Sequence, residues 1–151
     1  MNVGDIVEDF TLPDETGQPR SLSGLLVDGP VVLFFYPAAL TPGCTAEACH
    51  FRDLAGEFRA AGARPVGISP DEVARQQEFA DRHSLGYPLL SDASGEIRDR
   101  FGVKRGFSLA PTKRVTFVID QDRRVLEVVR SELRMSAHAD KALAALRTRK
   151  A

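Results

Sequence analysis

The chain has 151 residues, of which 43% are apolar, enough for one domain with a sizeable buried core. Its 20 basic and 21 acidic side chains nearly cancel, which excludes a protein that binds nucleic acid through a large positive net charge. Two cysteines, Cys44 and Cys49, are too few to hold together a secreted disulfide scaffold of this length. We therefore expect a single domain over residues 1–151, with the cysteine pair as its most unusual feature.

The chain carries no evident targeting or membrane segment. Residues Met1–Ile6 include neither a basic region nor an apolar stretch, so we expect no signal peptide. The longest apolar run, Val31–Tyr36, is far shorter than the roughly 20 residues of a membrane-spanning helix. We therefore expect a cytoplasmic protein without membrane or nucleic-acid partners, in a compartment where a permanent structural disulfide is not expected to persist.

Strand and helix signals alternate in the first half of the chain. A short hairpin with arms at Phe10–Leu12 and Arg20–Leu22 is expected, because turn-forming residues separate the arms. The apolar run Val31–Tyr36 is typical of a strand buried on both faces. A helix is expected from about Pro42 to Ala61, because its apolar residues recur at helical spacing. That apolar face consists of Phe51, Leu54, Ala55 and Phe58.

The alternation continues in the second half. We expect strands at Arg64–Ser69, Tyr87–Leu90, Val115–Ile119 and Arg123–Val129, and helices at Asp71–Ser84, at Ser94–Phe101 and from a cap at Ser136 onward. The short turn 120–122 between the last two strands indicates an antiparallel hairpin. The face of the final helix consists of Ala139, Ala142, Leu143 and Leu146. Alternating strands and helices predict an α/β domain with a mixed sheet, in the element order of the thioredoxin-like fold.

Cys44 lies where a buried strand gives way to a helix. The unpaired N–H groups and the dipole at a helix start favour a negative charge. A thiol placed there should lose its proton more readily than a free thiol, which is only about 3% thiolate at pH 7. The position therefore predicts that Cys44 is a reactive thiol rather than a small core residue.

Cys49 follows Cys44 by five residues. On a regular helix this spacing gives a rise of about 7.5 Å and a rotation of about 140°, which places the two Cα atoms about 8.7 Å apart. A disulfide requires Cα atoms within about 7 Å of each other. Either no disulfide forms between the two cysteines, or the first turns of the helix unwind to allow it.

Three other roles for the cysteines are alternatives to a redox pair. A zinc site would use Cys44, Cys49 and His50 with a further histidine or carboxylate, but the spacing matches no common zinc pattern. A dithiol of the thioredoxin type requires Cys-x-x-Cys, whereas four residues separate these cysteines. A cysteine hydrolase would need a histidine base, and none of His50, His83 and His138 has a supporting motif.

The segment around Cys44 resembles the active-site motif of the peroxiredoxins. The motif residues are Pro37-x-x-x-Thr41-x-x-Cys44, and the extension Thr41-Pro42-Gly43-Cys44-Thr45-x-Glu47-x-Cys49 is similar to the branch called peroxiredoxin Q or bacterioferritin comigratory protein. Further matching segments are Val3–Asp5, Phe10–Pro13, Phe35–Pro37, Phe51–Asp53, Val66–Ser69, Leu90–Asp92 and Arg114–Asp120. The resemblance spans nearly the whole chain. It implies a thioredoxin-like fold whose central mixed β-sheet is flanked by helices, with an N-terminal β-hairpin extension.

The resemblance also implies a thiol peroxidase that needs no cofactor and no metal. Cys44 would be the peroxidatic cysteine and Cys49 the resolving cysteine of the same chain. Thr41 would orient the peroxide, Pro37 would shield the thiolate from water, and Arg114 would reach the site from another strand. The family implies hydroperoxide substrates, thioredoxin or a similar dithiol as reductant, and a monomer or weak homodimer.

Two further features bear on the site. Glu47 either supports the site or is an ordinary solvated carboxylate in the first turns of the helix, and we expect the second. The segment Ala38–Leu40 is apolar where many relatives are polar, which suggests either a substrate-pocket rim that favours larger hydroperoxides or a contact surface.

Two functions are alternatives to a peroxidase. The first is a redox-sensing or protein-binding protein on the same fold, and the second is a disulfide oxidoreductase that acts on proteins.

Overall fold

The computed structural model describes residues 1–104, 112–132 and 134–150. The elements in chain order are β1 (Thr11–Pro13), β2 (Pro19–Ser21), α1 (Leu22–Leu25), β3 (Val31–Phe35), α2 (Pro42–Asp53), α3 (Ala55–Ala60), β4 (Arg64–Ser69), α4 (Val73–His83), β5 (Leu89–Ser91), α5 (Glu96–Arg100), β6 (Val115–Ile119), β7 (Val125–Arg130) and α6 (Met135–Lys150). None of the helices in this part of the chain is long and apolar enough to cross a membrane.

Five strands form the central sheet, in the order β5-β4-β3-β6-β7. Strands β3, β4 and β5 run parallel, whereas β6 is antiparallel to both β3 and β7. Strands β1 and β2 form a separate antiparallel hairpin in which Thr11 faces Ser21. The predicted mixed sheet, thioredoxin-like fold and N-terminal hairpin are therefore confirmed.

Strand β3 is buried on both faces because its alternating side chains enter two separate cores. Val32 and Phe34 point into the core under α2 and α6, while the other three residues of the strand point into the core that includes β1 to α1 and α5. The ring of Phe34 stacks on Phe51 of α2, with 4.2 Å between the ring centroids. This packing fixes α2 against the middle of the sheet.

The helix predicted from Pro42 to Ala61 is wrong in one respect, because the structure divides it into α2 and α3. Leu54 interrupts it, with φ −98° and ψ 13°. Gly56, a poor helix former, lies in the first turn after the interruption. The predicted apolar face survives the break, since Phe51 and Phe58 are fully buried and their rings stack.

Other helix starts also differ from the prediction, and α4 and α5 each begin two residues later than expected. Leu22 begins α1 instead of ending the hairpin arm, because the Ser21 hydroxyl accepts a hydrogen bond from the N–H of Gly24. Ser136 lies inside α6 and does not cap it. The Oγ of Ser131 accepts from the N–H of Arg134 at 3.1 Å, in the turn that precedes the helix. The predicted apolar face of α6 is confirmed, since Ala139, Ala142, Leu143 and Leu146 are buried.

A substitution at Gly67 in β4 tests how tightly the core beneath α2 is packed. A Cβ at this position would lie 2.7 Å from Leu89 Cδ2 and 3.0 Å from Tyr36 Cε1. We expect Gly67→Ala to lower the free energy of unfolding by about 1–3 kcal/mol in urea denaturation, because the added methyl overpacks the core. Gly56→Ala is the control: its Cβ would meet no atom within 4 Å, and the stability should rise by up to about 1 kcal/mol. Unchanged stability of Gly67→Ala would contradict the packing.

Candidate active site around Cys44

The loop between β3 and α2 is held by the carboxyl end of the neighbouring parallel strand β4. The N–H of Ala39 donates to Asp71 Oδ2 at 2.7 Å, and the carbonyl of Ala39 accepts from Arg75 Nη2 at 3.1 Å. Leu40 has φ +67°, a conformation that side-chain-bearing residues adopt rarely. The two contacts at Ala39 therefore fix a loop whose backbone is unfavourable by itself.

A buried hydrogen-bond network supports Asp71 from below. Ser69 Oγ donates to Asp71 Oδ2 at 2.7 Å, and Gln76 Nε2 donates to Ser69 Oγ at 2.9 Å. The Tyr36 hydroxyl donates to Gln76 Oε1 at 2.5 Å, and burial holds the pKa of Tyr36 well above its ordinary value, so the hydroxyl stays a donor. This network was not predicted from the sequence. Its one signal was that Asp71 lies just beyond the strand predicted at Arg64–Ser69, at the carboxyl end where ligands gather in α/β sheets.

The structure buries Ala39 and leaves Ala38 and Leu40 half-buried, and the role of this segment as a substrate rim or contact surface stays a prediction. Ala39 is fully buried in the core under α2, and Leu40 is partly buried against the same core. Packing against this core accounts for the apolar character of Ala39 and Leu40, whereas Ala38 is half-buried outside it.

Cys44 is the third residue of α2, which confirms its predicted place in the first helical turn. Its side chain is 1% exposed and belongs to the core under α2. Thr41 occupies the cap position, but its hydroxyl donates to the carbonyl of Ala38 at 2.8 Å and caps no N–H group. The N–H groups at the helix start thus have no side-chain cap from Thr41, which leaves the positive end of the helix dipole beside the thiol.

The guanidinium of Arg114 lies against the same helical turn. A Cβ on Gly43 would stand only 2.9 Å from Arg114 Nη2, so the absence of a side chain at Gly43 makes room for this contact. The Arg114 side chain is 11% exposed, and its backbone N–H donates to Glu132 Oε1 at 3.2 Å. The structure therefore brings Arg114, Thr41 and Cys44 to the start of α2, with the half-buried Pro37 at the end of β3.

Cys49 is half-buried in the second half of α2, and both thiols are free. Because one continuous helix separates them, the two cysteines cannot form a disulfide in this conformation. Hydrogen bonds to other elements hold the second half of the helix. Ala48 accepts from the Tyr87 hydroxyl at 2.7 Å, His50 pairs with Asp140 at 2.8 Å, and Arg52 Nη1 donates to the carbonyl of His83 at 2.7 Å.

Glu47 is not solvated, and that expectation is wrong. Its side chain is 0% exposed, with Oε1 3.8 Å from Arg114 Nη1 and Oε2 3.4 Å from His138 Nε2. Burial raises the pKa of Glu47 to about 8, although the charge of Arg114 opposes this shift. The carboxyl group is therefore mostly protonated at neutral pH. Its position in the helix gave no sign that α6 would cover it.

His138 of α6 is fully buried beside Glu47. Its Nε2 lies 2.7 Å from the carbonyl of Ser131, which can only accept, so Nε2 carries a proton. Its Nδ1 lies 2.8 Å from Thr116 Oγ1, and burial lowers the pKa of His138, so the neutral ring accepts from that hydroxyl. No motif in the sequence pointed to this histidine.

The chemistry of the site rests on its thiols and their polar neighbours. Among the described residues, no three His, Cys, Asp or Glu side chains are placed to hold a metal ion. What the start of α2 offers instead is an environment for an anion, made by unpaired N–H groups and a guanidinium. Such a site can hold a thiolate and stabilise a negative charge that develops on a second atom beside it.

Comparison with known proteins places these features in a family. Residues 3–128 match the model of the AhpC/TSA family. A protein of Mycobacterium tuberculosis named as a peroxiredoxin is 64% identical over 149 residues, and the match covers 97% of each chain. The chloroplastic peroxiredoxin Q of Arabidopsis thaliana is 40% identical, over 95% of this chain and 66% of that protein.

Solved structures agree with this assignment. The crystal structure of peroxidoxin BcpB from Mycobacterium tuberculosis has a TM-score of 0.94 at 64% identity and covers 98% of this chain and 97% of its own. The bacterioferritin comigratory protein of Xanthomonas campestris has a TM-score of 0.86 at 29% identity, over 94% of this chain and 92% of its own. The chain belongs to the AhpC/TSA family and is a peroxiredoxin, a thiol peroxidase, of the peroxiredoxin Q or bacterioferritin comigratory protein type.

Proposed function

We propose that this peroxiredoxin reduces hydrogen peroxide and organic hydroperoxides with Cys44 as the attacking thiolate and Cys49 as the resolving thiol. The observation that carries the proposal is the uncapped start of α2, where Cys44 is buried next to a turn that contacts Arg114. Alkyl peroxide reduction is described for the bacterioferritin comigratory protein of Xanthomonas campestris, which supports organic hydroperoxides as substrates here.

In the first step, the Cys44 sulfur attacks the terminal oxygen of the hydroperoxide. An S–O bond forms, the O–O bond breaks, and the electron pair leaves on the second oxygen, which takes a proton to give an alcohol or water. Cys44 becomes a sulfenic acid. Negative charge moves from sulfur to the leaving oxygen, so the N–H groups of the α2 start and the permanently charged Arg114 stabilise the transition state.

Thr41 and Pro37 have distinct parts in this step. The Thr41 hydroxyl donates its hydrogen bond to the carbonyl of Ala38. Its oxygen is therefore free to accept a hydrogen bond from the O–H of the peroxide. This orients the peroxide toward the sulfur. Pro37 has no N–H group and is half-buried where β3 ends, so its ring limits the access of water to the thiolate.

In the second step, the Cys49 sulfur attacks the Cys44 sulfenic acid. An S–S bond forms, the S–O bond breaks, and water leaves. Because the second half of α2 is tied to other elements from Ala48 onward, we propose that its first turns unwind and carry Cys44 toward Cys49. Thioredoxin or a similar cytoplasmic dithiol then reduces the disulfide by thiol exchange. Because both cysteines belong to one chain, a monomer or weak homodimer suffices.

One equivalent of peroxide tests the two cysteine roles. The reduced protein should lose two hydrogen atoms in mass and retain no free thiol, and a digest should contain a peptide that links Cys44 to Cys49. Cys49→Ser should consume one peroxide and stop at the sulfenic acid. Cys44→Ser should consume peroxide no faster than buffer, and its turnover with thioredoxin would contradict the assignment. Rapid disulfide formation with very slow turnover would indicate a redox sensor instead.

The contact between Arg114 and the α2 start can be tested by two substitutions that act on the same guanidinium. Arg114→Lys keeps the charge but loses the planar fork, and Gly43→Ala fills the space that Arg114 occupies. We expect each to lower kcat/KM for peroxide by about 10²–10³, the usual effect of losing one transition-state donor. Steady-state peroxide consumption measures this effect. The exposed neighbour Lys113 is the control, and Lys113→Ala should leave kcat/KM unchanged.

A further inference from the structure

The buried acid Glu47 has no hydrogen-bond donor among the described residues, although neither of its oxygens reaches solvent. An ionised carboxylate in this place would lose its hydration and gain no replacement, which is costly. Arg114 Nη1 at 3.8 Å is too far to donate and contributes only its charge. The geometry therefore favours a neutral carboxylic acid at position 47.

The neighbours of Glu47 do not supply a proton donor either. The Nε2–H of His138 is directed to the carbonyl of Ser131 at 2.7 Å, and Glu47 Oε2 lies farther from Nε2, at 3.4 Å. The negative charge of Glu132 opposes ionisation of Glu47, and the phenol of Tyr87, whose pKa burial raises, also faces this region. Lys141 lies near His138 and favours the neutral ring.

We propose that Glu47 is protonated in the reduced, folded protein and releases its proton to solvent when α2 unwinds, and that His138 is the positioning residue that keeps its carboxyl group buried. The inference rests on the proposed disulfide between Cys44 and Cys49. Glu47 lies inside the segment between the two cysteines, and this segment must leave the helical conformation for the disulfide to form. Glu47 therefore cannot keep its buried place when α2 opens.

The cycle takes up and releases equal numbers of protons at Glu47. The sulfenic acid of Cys44 and the thiol of Cys49 give a disulfide and water, a step that is neutral in protons. The carboxyl group of Glu47 adds one proton released to solvent, and it regains one when the disulfide is reduced and the helix closes. No additional oxidant or reductant is required, because no electrons move at Glu47.

The direction of the pH effect follows from the two states of Glu47. Its pKa is about 8 in the closed helix and should return to about 4.3 once the group is exposed. Because the pKa is higher in the closed state, protonation of Glu47 stabilises the closed helix. This stabilisation is complete at pH values below the pKa of the exposed group. That advantage is lost as the pH rises toward 8. Opening of α2 should therefore become about tenfold more favourable per pH unit between about pH 5 and pH 8.

Infrared difference spectroscopy tests the protonation of Glu47 directly. At about pH 6.5, midway in the expected window, the reduced protein should show the C=O stretching band of a buried carboxylic acid. The band should disappear when peroxide converts the protein to the disulfide, and Glu47→Gln should lack it. Glu57→Gln, which removes an exposed carboxyl group on α3, is the control and should retain the band. A reduced protein without an acid band, or a band that survives Glu47→Gln, would overturn the proposal.

The rate of disulfide formation after peroxide attack provides a pH profile. Ionisation of Cys49 accelerates this step in both proteins, so the informative quantity is the ratio of the rates of the parent protein and Glu47→Gln. That ratio should rise about tenfold per pH unit up to about pH 8 and then level off. A ratio independent of pH would refute the coupling. His138→Gln should move the levelling-off to lower pH, whereas a merely structural His138 would leave that pH unchanged.

The two proposals fail in different ways. A count of free thiols after one equivalent of peroxide reports whether the disulfide forms, independently of Glu47. If the disulfide forms while the acid band persists, the proton coupling is wrong and the proposed function stands. If no disulfide forms in the parent protein, the proposed function fails, and the coupling fails with it.

Discussion

The central constraint in the proposed mechanism is that one helix must hold its two cysteines in two incompatible arrangements. While α2 is intact, its N-terminal turn places Cys44 where unpaired N–H groups favour a thiolate. The same regular helix keeps Cys49 beyond the reach of a disulfide. In the proposed mechanism, attack on peroxide therefore requires the intact helix, and formation of the disulfide requires that its first turns unwind. The remaining contacts of α2 hold its second half firmly and leave its first turn weakly held.

The two halves of α2 differ in how they are held. Its second half is anchored by the stacking of Phe51 on Phe34 and by hydrogen bonds from Tyr87 and to His83. Its first turn begins without a side-chain cap, because the Thr41 hydroxyl is directed back into the preceding loop. A capping bond at this point would stabilise the helix by about 1 kcal/mol, and it would also occupy an N–H group that the anion needs. In the proposed mechanism, the missing cap therefore favours both the attack on peroxide and the opening of the helix.

Local signals in the sequence were sufficient for most elements and for the place of Cys44. The apolar strand β3 and the helical periodicity after it are each carried by neighbouring residues, so the strand-to-helix junction was predictable. The burial of Glu47 was not, because the neighbouring side chains are those of Arg114, just before β6, and His138 of α6, which follow far later in the chain. The anchoring of Ala39 by Asp71 depends likewise on which strands lie side by side. Within a helix turn, nothing distinguishes a covered carboxyl group from a solvated one.

The protonation of Glu47 also bears on the charge available at the active site. If Glu47 were a carboxylate, it would neutralise much of the field of Arg114, the cation that lies against the start of α2. A neutral acid at 3.8 Å leaves that positive charge to act on the thiolate and on the leaving oxygen. In the proposed sequence, the helix opens after the attack, when the charge of Arg114 is no longer needed beside the thiolate. A buried neutral acid therefore leaves the charge of Arg114 uncompensated while α2 is closed, and its ionisation on opening favours the open helix.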